Sequence, residues 1–185
     1  MLSVGERVSY PCQGPCLVGP IVKRVVDGKP AEFYHLHPLE HGGGDLFVPL
    51  DKADCRGIRK LLKKSEIPAL LNRLAQASTS VENWNTRTRK NLMLFASGSA
   101  FDLAEIIGSM TELGEGRKLQ PSDRRTFERA KKFLICELSE VTGERRSAVT
   151  ETIDNVIERR RGNKRAAGKP ALRYTPQIQD YGELP

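Results

Sequence analysis

The only tryptophan of the chain stands at the start of a short cationic segment. The sequence Asn83-Trp84-Asn85-Thr86-Arg87-Thr88-Arg89-Lys90 places three basic side chains within two helical turns of that ring. An aromatic wedge props open stacked bases from the minor groove, while adjacent cations bind phosphates and displace counterions. The segment therefore predicts a DNA contact. Tryptophan is also commonly buried in a core, and the sequence alone leaves that alternative open.

A second group of residues has metal-binding chemistry. Cys12 and Cys16, with His35 and His37 on one face of a nearby strand, have the donor atoms of a Cys₂His₂ zinc site. Their spacing is not that of a tight Cys-x-x-Cys knuckle, and four cysteines in 185 residues are typical of free thiols. We therefore predict that the protein has no metal or other cofactor, with zinc as the alternative.

The sequence predicts neither catalysis nor membrane association. It contains no P-loop, no Gly-x-Ser-x-Gly and no His-Glu-x-x-His, and its histidines have no paired carboxylate pattern. No apolar run approaches the roughly 20 residues that span a bilayer, and the N-terminus lacks signal-peptide features. We expect a monomeric, cytoplasmic protein that is not an enzyme.

Residues 1–64 have the pattern of short β-strands separated by reversals. The reversals fall at Asp27-Gly28-Lys29-Pro30 and at His41-Gly42-Gly43-Gly44-Asp45. Several short antiparallel strands in a segment of this length predict a small SH3-like or Tudor-like barrel. Such barrels present their edges and loops to protein partners.

Residues 65–160 have apolar side chains at helical spacing, which predicts a compact all-α domain and an α+β fold overall. Thr79 and Glu82 have capping-box spacing before the helix that carries Trp84, so the ring is expected in the first turn. The helices are predicted over residues 66–76, around Trp84, after Ser99, from Pro121 to Gly143, and after Ser147.

Residues 161–185 are predicted to form a basic flexible tail. The apolar periodicity fails from Arg159 onward, and much of the net charge of +7 lies in this part of the chain. The tail would add non-specific DNA affinity or only solubility, and the sequence favours neither.

Several segments in order along residues 1–158 resemble the CarD/CdnL family of bacterial RNA polymerase-binding transcription regulators. They are Val4-Gly5-Glu6-Arg7-Val8-x-Tyr10-Pro11, Val48-Pro49, Gly57-Ile58-Arg59, Asn83-Trp84-x-x-Arg87, Leu94-x-Ala96-Ser97-Gly98, Ala104-Glu105-Ile106-Ile107 and Ala130-x-x-x-Leu134-x-x-Glu137-Leu138. Each segment is common by itself, and the ordered set is specific.

The resemblance implies two contacts at a promoter. The Tudor-like domain would bind the lobe of the RNA polymerase β subunit through a strand edge, with contacts at Arg24 and at Leu46, Phe47, Val48 and Pro49. The helical domain would meet DNA at the upstream edge of the transcription bubble, where Trp84 wedges into the minor groove and hinders bubble collapse. The further DNA contacts would be Asn83, Arg87, Arg89 and Lys90, and the protein would be nucleoid-associated through the polymerase.

The chain departs from the family pattern in two places, and two interpretations outside the family also remain open. Cys12-Gln13-Gly14-Pro15-Cys16 replaces a segment with a histidine and a Gly-Val-Gly-like turn, and Phe47 stands where some members have a basic residue. One alternative is a protein-interaction adaptor in which Trp84 is buried. The other is an RNA-binding Tudor or SH3-like protein, which would expose aromatic side chains on the barrel.

Overall fold

A β-sheet domain is followed by a helical domain in the computed structural model, which describes residues 2–40, 44–53, 56–76, 83–116 and 118–167. Within these ranges five β-strands precede five α-helices. The predicted α+β class, with a Tudor-like domain before an all-α domain, is confirmed. Among the described helices, none has both the length and the apolar composition required to cross a lipid bilayer.

The N-terminal sheet is antiparallel, with the strand order β4-β3-β2-β1-β5. Its strands are β1 Arg7–Tyr10, β2 Gly14–Val26, β3 Lys29–Pro38, β4 Leu46–Pro49 and β5 Arg59–Lys60. The predicted reversal between β2 and β3 is confirmed. Asp27 and Gly28 have φ of 52° and 76°, the left-handed conformation of a two-residue hairpin turn. Residues 41–43 of the second predicted reversal lie outside the described ranges.

The core of the sheet lies on one face of β2 and β3. Cys16, Val18, Tyr34 and Leu36 are buried there with Val8, because alternate side chains of a strand point to opposite faces. A register irregularity between Val18 and Ile21 interrupts the pairing of β2 with β3. Beyond it, towards the hairpin turn, the side chains of β2 are mostly exposed.

All five predicted helices are present among the described residues. They are α1 Ile67–Ala75, α2 Trp84–Ser97, α3 Ala100–Gly116, α4 Pro121–Thr142 and α5 Arg146–Ala167. Gly98 and Gly143 end α2 and α4 with φ of 68° and 79°, as left-handed C-caps, and Pro121 begins α4. The apolar stripes meet in one core, whose largest buried side chains are Leu70, Leu74, Ile106, Ile107, Met110, Leu134 and Ile153.

The last helix is longer than the sequence predicts. Residues 161–167 continue α5, although the sequence assigns them to the tail. Arg160 is buried, with Nη2 3.2 Å from Glu112 Oε1 and Nη1 donating to the Leu74 carbonyl at 3.3 Å. The buried Arg160 side chain therefore packs α5 against α1 and α3 at the point where the apolar stripe of the helix ends. The rest of the predicted tail, residues 168–185, lies outside the described ranges.

Three residues, which we call the interdomain latch, join the two domains: Arg59, Gly98 and Glu137. Arg59 donates through Nη1 and Nη2 to the Glu137 carboxylate, at 2.7 and 3.0 Å, and through Nε to the Gly98 carbonyl at 2.8 Å. Glu137 is fully buried and also accepts from the Leu62 amide at 2.9 Å. A buried carboxylate is stable only with such partners, so both domains must be in place for Glu137 to be satisfied.

A close backbone contact lies beside the interdomain latch. Gly14 has φ of 81°, and a Cβ at this position would lie 2.7 Å from the Phe133 ring of α4. Glycine is therefore required at this position of the Cys12-Gln13-Gly14-Pro15-Cys16 segment. The start of β2 can approach α4 only because this position carries no side chain.

Candidate nucleic-acid and polymerase interfaces

Trp84 is the first residue of α2, and 51% of its surface is exposed. Asn83 is the N-cap, since its side-chain oxygen accepts a hydrogen bond from the Thr86 amide at 2.9 Å. The predicted location of Trp84 in the first turn is confirmed. The cap is Asn83 rather than the predicted capping box, whose residues Thr79 and Glu82 lie outside the described ranges.

Arg87 lies inside the helical domain, although its spacing groups it with the candidate DNA-binding cations. Its Nη2 is 3.0 Å from Asp123 Oδ2 in a buried ion pair. Asp123 belongs to the first turn of α4, and further along the same two helices Phe95 and Phe133 pack edge to face at 6.4 Å. The N-termini of α2 and α4 therefore lie at the same end of the domain.

Lys90 contributes to a second set of charges, which surrounds Glu105 on α3. Lys90 Nζ is 2.9 Å from one carboxylate oxygen of Glu105, and Arg73 Nη2 is 2.7 Å from the other. The hydrogen bond from Lys90, followed by the one from Arg73, holds the pKa of Glu105 below its usual value of 4.5 despite partial burial. Glu105 thus connects α1, α2 and α3, and Lys90 remains half-exposed at the surface.

Other cations at the same end of the domain are exposed. Arg89 lies on the outer side of α2, and Arg124 and Arg125 lie at the start of α4. Arg124 Nε is 2.8 Å from Glu128, and Arg125 Nε donates to the Pro121 carbonyl at 3.2 Å. These arginines of α4 are not among the DNA contacts predicted from the sequence, because no local pattern indicates that α4 starts beside α2. We call Trp84, Arg89 and Arg125 the Trp84 surface.

The predicted polymerase contacts lie along one edge of the sheet. Among the described strands β4 pairs only with β3, and Leu46, Phe47 and Pro49 of β4 are half-buried whereas Val48 is in the core. The Arg24 guanidinium lies 3.6 Å from the centroid of the Phe47 ring, a cation–π contact. The structure therefore brings Arg24 of β2 and Phe47 of β4 together. We call Arg24 with strand β4 the β4 edge.

The four residues of the alternative zinc site do not converge. In the register of β2 and β3, Cys16 pairs with Pro38 and faces the core, whereas His37 pairs with Leu17 and faces the other side. Burial raises the pKa of the Cys16 thiol to about 12. His35 and His37 instead form hydrogen bonds with Asp45. These bonds, of which the one with His35 has the larger effect, hold the pKa of the Asp45 carboxyl below its usual value of 3.8.

Two family models match the chain. The CarD-like/TRCF RID domain matches residues 2–62, and the CarD C-terminal domain matches residues 69–154. The chain belongs to the CarD/CdnL family. The CarD family consists of non-catalytic transcription factors, and the protein is an RNA polymerase-interacting transcription regulator of the CarD/CdnL type. A comparison with curated proteins finds no match.

Three of the segments that resemble the CarD/CdnL family meet at the interdomain latch. Arg59 ends Gly57-Ile58-Arg59, Gly98 ends the Ser97-Gly98 segment, and Glu137 lies in the α4 segment. Each of these three segments contributes one residue to the junction. The CarD/CdnL pattern in this chain therefore encodes the junction of the domains as well as their surfaces.

The aromatic residues bear on the two alternatives to promoter binding. The adaptor interpretation requires a buried Trp84, whereas half of this side chain is exposed. The RNA-binding interpretation requires exposed aromatic side chains on the barrel. Tyr34 is buried, and Tyr10 and Phe33 are half-buried. Neither alternative is favoured by the positions of these rings.

Proposed function

We propose that this CarD/CdnL protein binds the lobe of the RNA polymerase β subunit through the β4 edge and stabilises the promoter open complex through Trp84. The observation that carries the proposal is the position of Trp84. A large aromatic side chain is half-exposed at the first residue of a capped helix, where its removal leaves the core of the domain intact.

The residues that fix the N-terminal turns of α2 make Trp84 suitable as a wedge. Asn83 caps the helix directly below the ring, and the buried pair of Arg87 with Asp123 fixes the next turn of α2 to α4. The backbone that carries the ring is therefore ordered before binding, so less conformational entropy is lost on binding. Arg87 in this proposal is a positioning residue. The phosphate-binding cations would be Arg89 and Arg125, with Lys90 and the backbone amides of the α2 N-terminus beside them.

The energy available from such a wedge sets the size of the effect. A ligand shifts an equilibrium only by its difference in affinity between the two states, and the ring meets unstacked bases only when the duplex is open. Stacking of an aromatic side chain on a base contributes about 1–3 kcal/mol. Fully realised, this would lengthen the open-complex lifetime by about one to two orders of magnitude. Sequence preference would be weak because minor-groove edges carry a degenerate code.

The β4 edge is suited to a protein partner. An edge strand presents backbone groups that can pair with a strand of another chain, and neighbouring side chains then supply specificity. Phe47 supplies an apolar anchor next to the Arg24 cation. The interdomain latch would hold the β4 edge and the Trp84 surface in one arrangement, so that polymerase binding delivers the ring to a fixed place on the DNA.

The first experiment measures the lifetime of open complexes formed by the cognate bacterial RNA polymerase. We expect wild-type protein to lengthen it, Trp84→Phe to retain part of the effect, and Trp84→Ala to abolish it. Met93→Ala on the same helix is the matched control, because Met93 is exposed but lies outside the Trp84 surface. If Trp84→Ala is folded and as active as wild type, the wedge proposal fails.

A second experiment tests the β4 edge by measuring affinity for the isolated β-subunit lobe. We expect Arg24→Ala to weaken binding by about tenfold, as for a moderate interface hot spot, and Trp84→Ala to leave it unchanged. Lys23→Ala is the control, since Lys23 is exposed on the same strand and pairs with Glu32 at 3.3 Å. Equal affinities for the Arg24 and Lys23 variants would contradict the proposed contact.

A further inference from the structure

His35, His37 and Asp45 bring three metal-ligating side chains together on the outer face of the sheet. His35 Nε2 is 2.8 Å from Asp45 Oδ2, and His37 Nδ1 is 3.0 Å from Asp45 Oδ1. One ligand atom from each residue lies within 4.8 Å of the other two. The two histidines are at positions i and i+2 of β3, so both rings leave the strand on the same side.

Both imidazole rings are held by contacts besides those with Asp45. The His35 ring stacks on Phe47, with ring centroids 4.7 Å apart and an interplanar angle of 15°. The His37 ring lies over Gly19 so closely that a Cβ there would be 2.9 Å from Nε2. These contacts direct Nε2 of His35 and Nδ1 of His37 towards the same carboxylate. The rings are therefore oriented by the surrounding strands rather than by the carboxylate alone.

We propose that His35, His37 and Asp45 bind a divalent transition-metal ion of the zinc class. Two imidazole nitrogens and one carboxylate oxygen are a donor set that Zn²⁺ accepts in tetrahedral geometry, at about 2.0–2.2 Å from each ligand atom. Imidazole donors favour zinc, copper and nickel over magnesium and calcium. Three protein ligands leave a fourth position for water or for a side chain of a bound partner.

The metal would link two parts of the sheet domain. His35 and His37 belong to β3, whereas Asp45 immediately precedes β4. A bound ion would cross-link these segments and fix the start of β4, next to the Phe47 ring. This site does not involve Trp84 and lies beside the β4 edge, since His35 stacks on Phe47. It differs from the Cys₂His₂ set because it uses neither cysteine.

The test is titration of the full-length, tag-free protein with Zn²⁺ after treatment with a chelator, by calorimetry. We expect one equivalent to bind, and Asp45→Asn and His37→Gln each to weaken the affinity by at least about tenfold. Glu32→Gln is the matched control, because Glu32 is an exposed carboxylate on the same strand. Cys12→Ser tests the thiols and should bind like wild type.

Spectroscopy then identifies the ligand atoms. Co²⁺ in place of Zn²⁺ should give the visible absorption of a tetrahedral site in wild type and lose it in His37→Gln. Imidazole ¹⁵N resonances of His35 and His37 should shift on addition of Zn²⁺. The proposal is overturned if no stoichiometric Zn²⁺ binds, if both ligand variants bind like wild type while remaining folded, or if Cys12→Ser abolishes binding.

Discussion

Replacement of Glu137 by alanine should destabilise the protein strongly through the interdomain latch. The carboxylate is 0% exposed and accepts three hydrogen bonds, two from the Arg59 guanidinium and one from the Leu62 amide. Its removal leaves the Arg59 cation and a buried amide without their partner. Loss of one member of a buried ion pair costs about 3–5 kcal/mol, a large share of the roughly 5–15 kcal/mol that stabilises a typical domain.

Urea unfolding followed by far-ultraviolet circular dichroism measures this loss. Glu137→Gln should cost less, about 1.5–3 kcal/mol, because the amide oxygen still accepts but the charge is lost. Glu128→Ala is the matched control on the same helix. Glu128 is exposed and pairs with Arg124 four residues earlier, so its removal should cost only about 0.3–0.5 kcal/mol. Hydrogen exchange of the Leu62 amide should accelerate in Glu137→Ala and stay unchanged in Glu128→Ala.

A double-mutant cycle decides whether the latch acts as a unit. Arg59→Ala leaves the buried Glu137 carboxylate without its cation. The losses of unfolding free energy in the two single variants should therefore sum to more than the loss in the double variant, by about 0.5–3 kcal/mol. The reasoning is refuted if Glu137→Ala and Glu128→Ala destabilise the protein equally, or if the costs of Arg59→Ala and Glu137→Ala simply add.

Three further predictions concern other buried or paired groups. Arg87→Ala should lower the free energy of unfolding by about 3–5 kcal/mol, because it leaves the buried Asp123 without its cation. If urea unfolding shows only a small decrease in this free energy, Arg87 is a surface cation and the buried pair is refuted. Glu105→Gln should lose at most about 1 kcal/mol, because the pair is partly exposed. Since the pKa of Glu105 is depressed in the fold, its contribution is present above pH 4.5 and is lost below it, so the stability gap from wild type should narrow as pH falls. Burial raises the pKa of Cys16 to about 12 and of Cys136 to about 11, so iodoacetamide should label both more slowly than the half-buried Cys12, with the difference abolished in urea.

Local sequence patterns predict much of the fold correctly. Period-two alternation and turn residues indicate the antiparallel sheet, and the Asp27-Gly28 reversal is where the pattern places it. Apolar stripes indicate the helices, and Pro121 and Gly143 mark the ends of α4. These features are predictable because they depend on backbone conformation and on residues three or four positions apart.

Prediction fails where a polar side chain takes a role usually filled by an apolar one. Arg159-Arg160-Arg161 has the composition of a solvated tail, yet Arg160 is buried against Glu112 and α5 continues to Ala167. Arg87 belongs by spacing to a cationic segment, yet Asp123 holds it inside the domain. Both partners are distant in sequence, so no local pattern distinguishes these arginines from surface cations.

The sequence by itself determined the order of the elements, the family resemblance and the place of Trp84 at the start of a helix. Only the tertiary structure decided that Arg87 of the cationic segment lies inside the domain, because it pairs with Asp123, 36 residues away in the chain. The same holds for Arg59, Gly98 and Glu137, which become one junction only when two domains pack. Local preferences act over one or two turns of chain, whereas burial and charge pairing act between whatever segments the fold brings into contact.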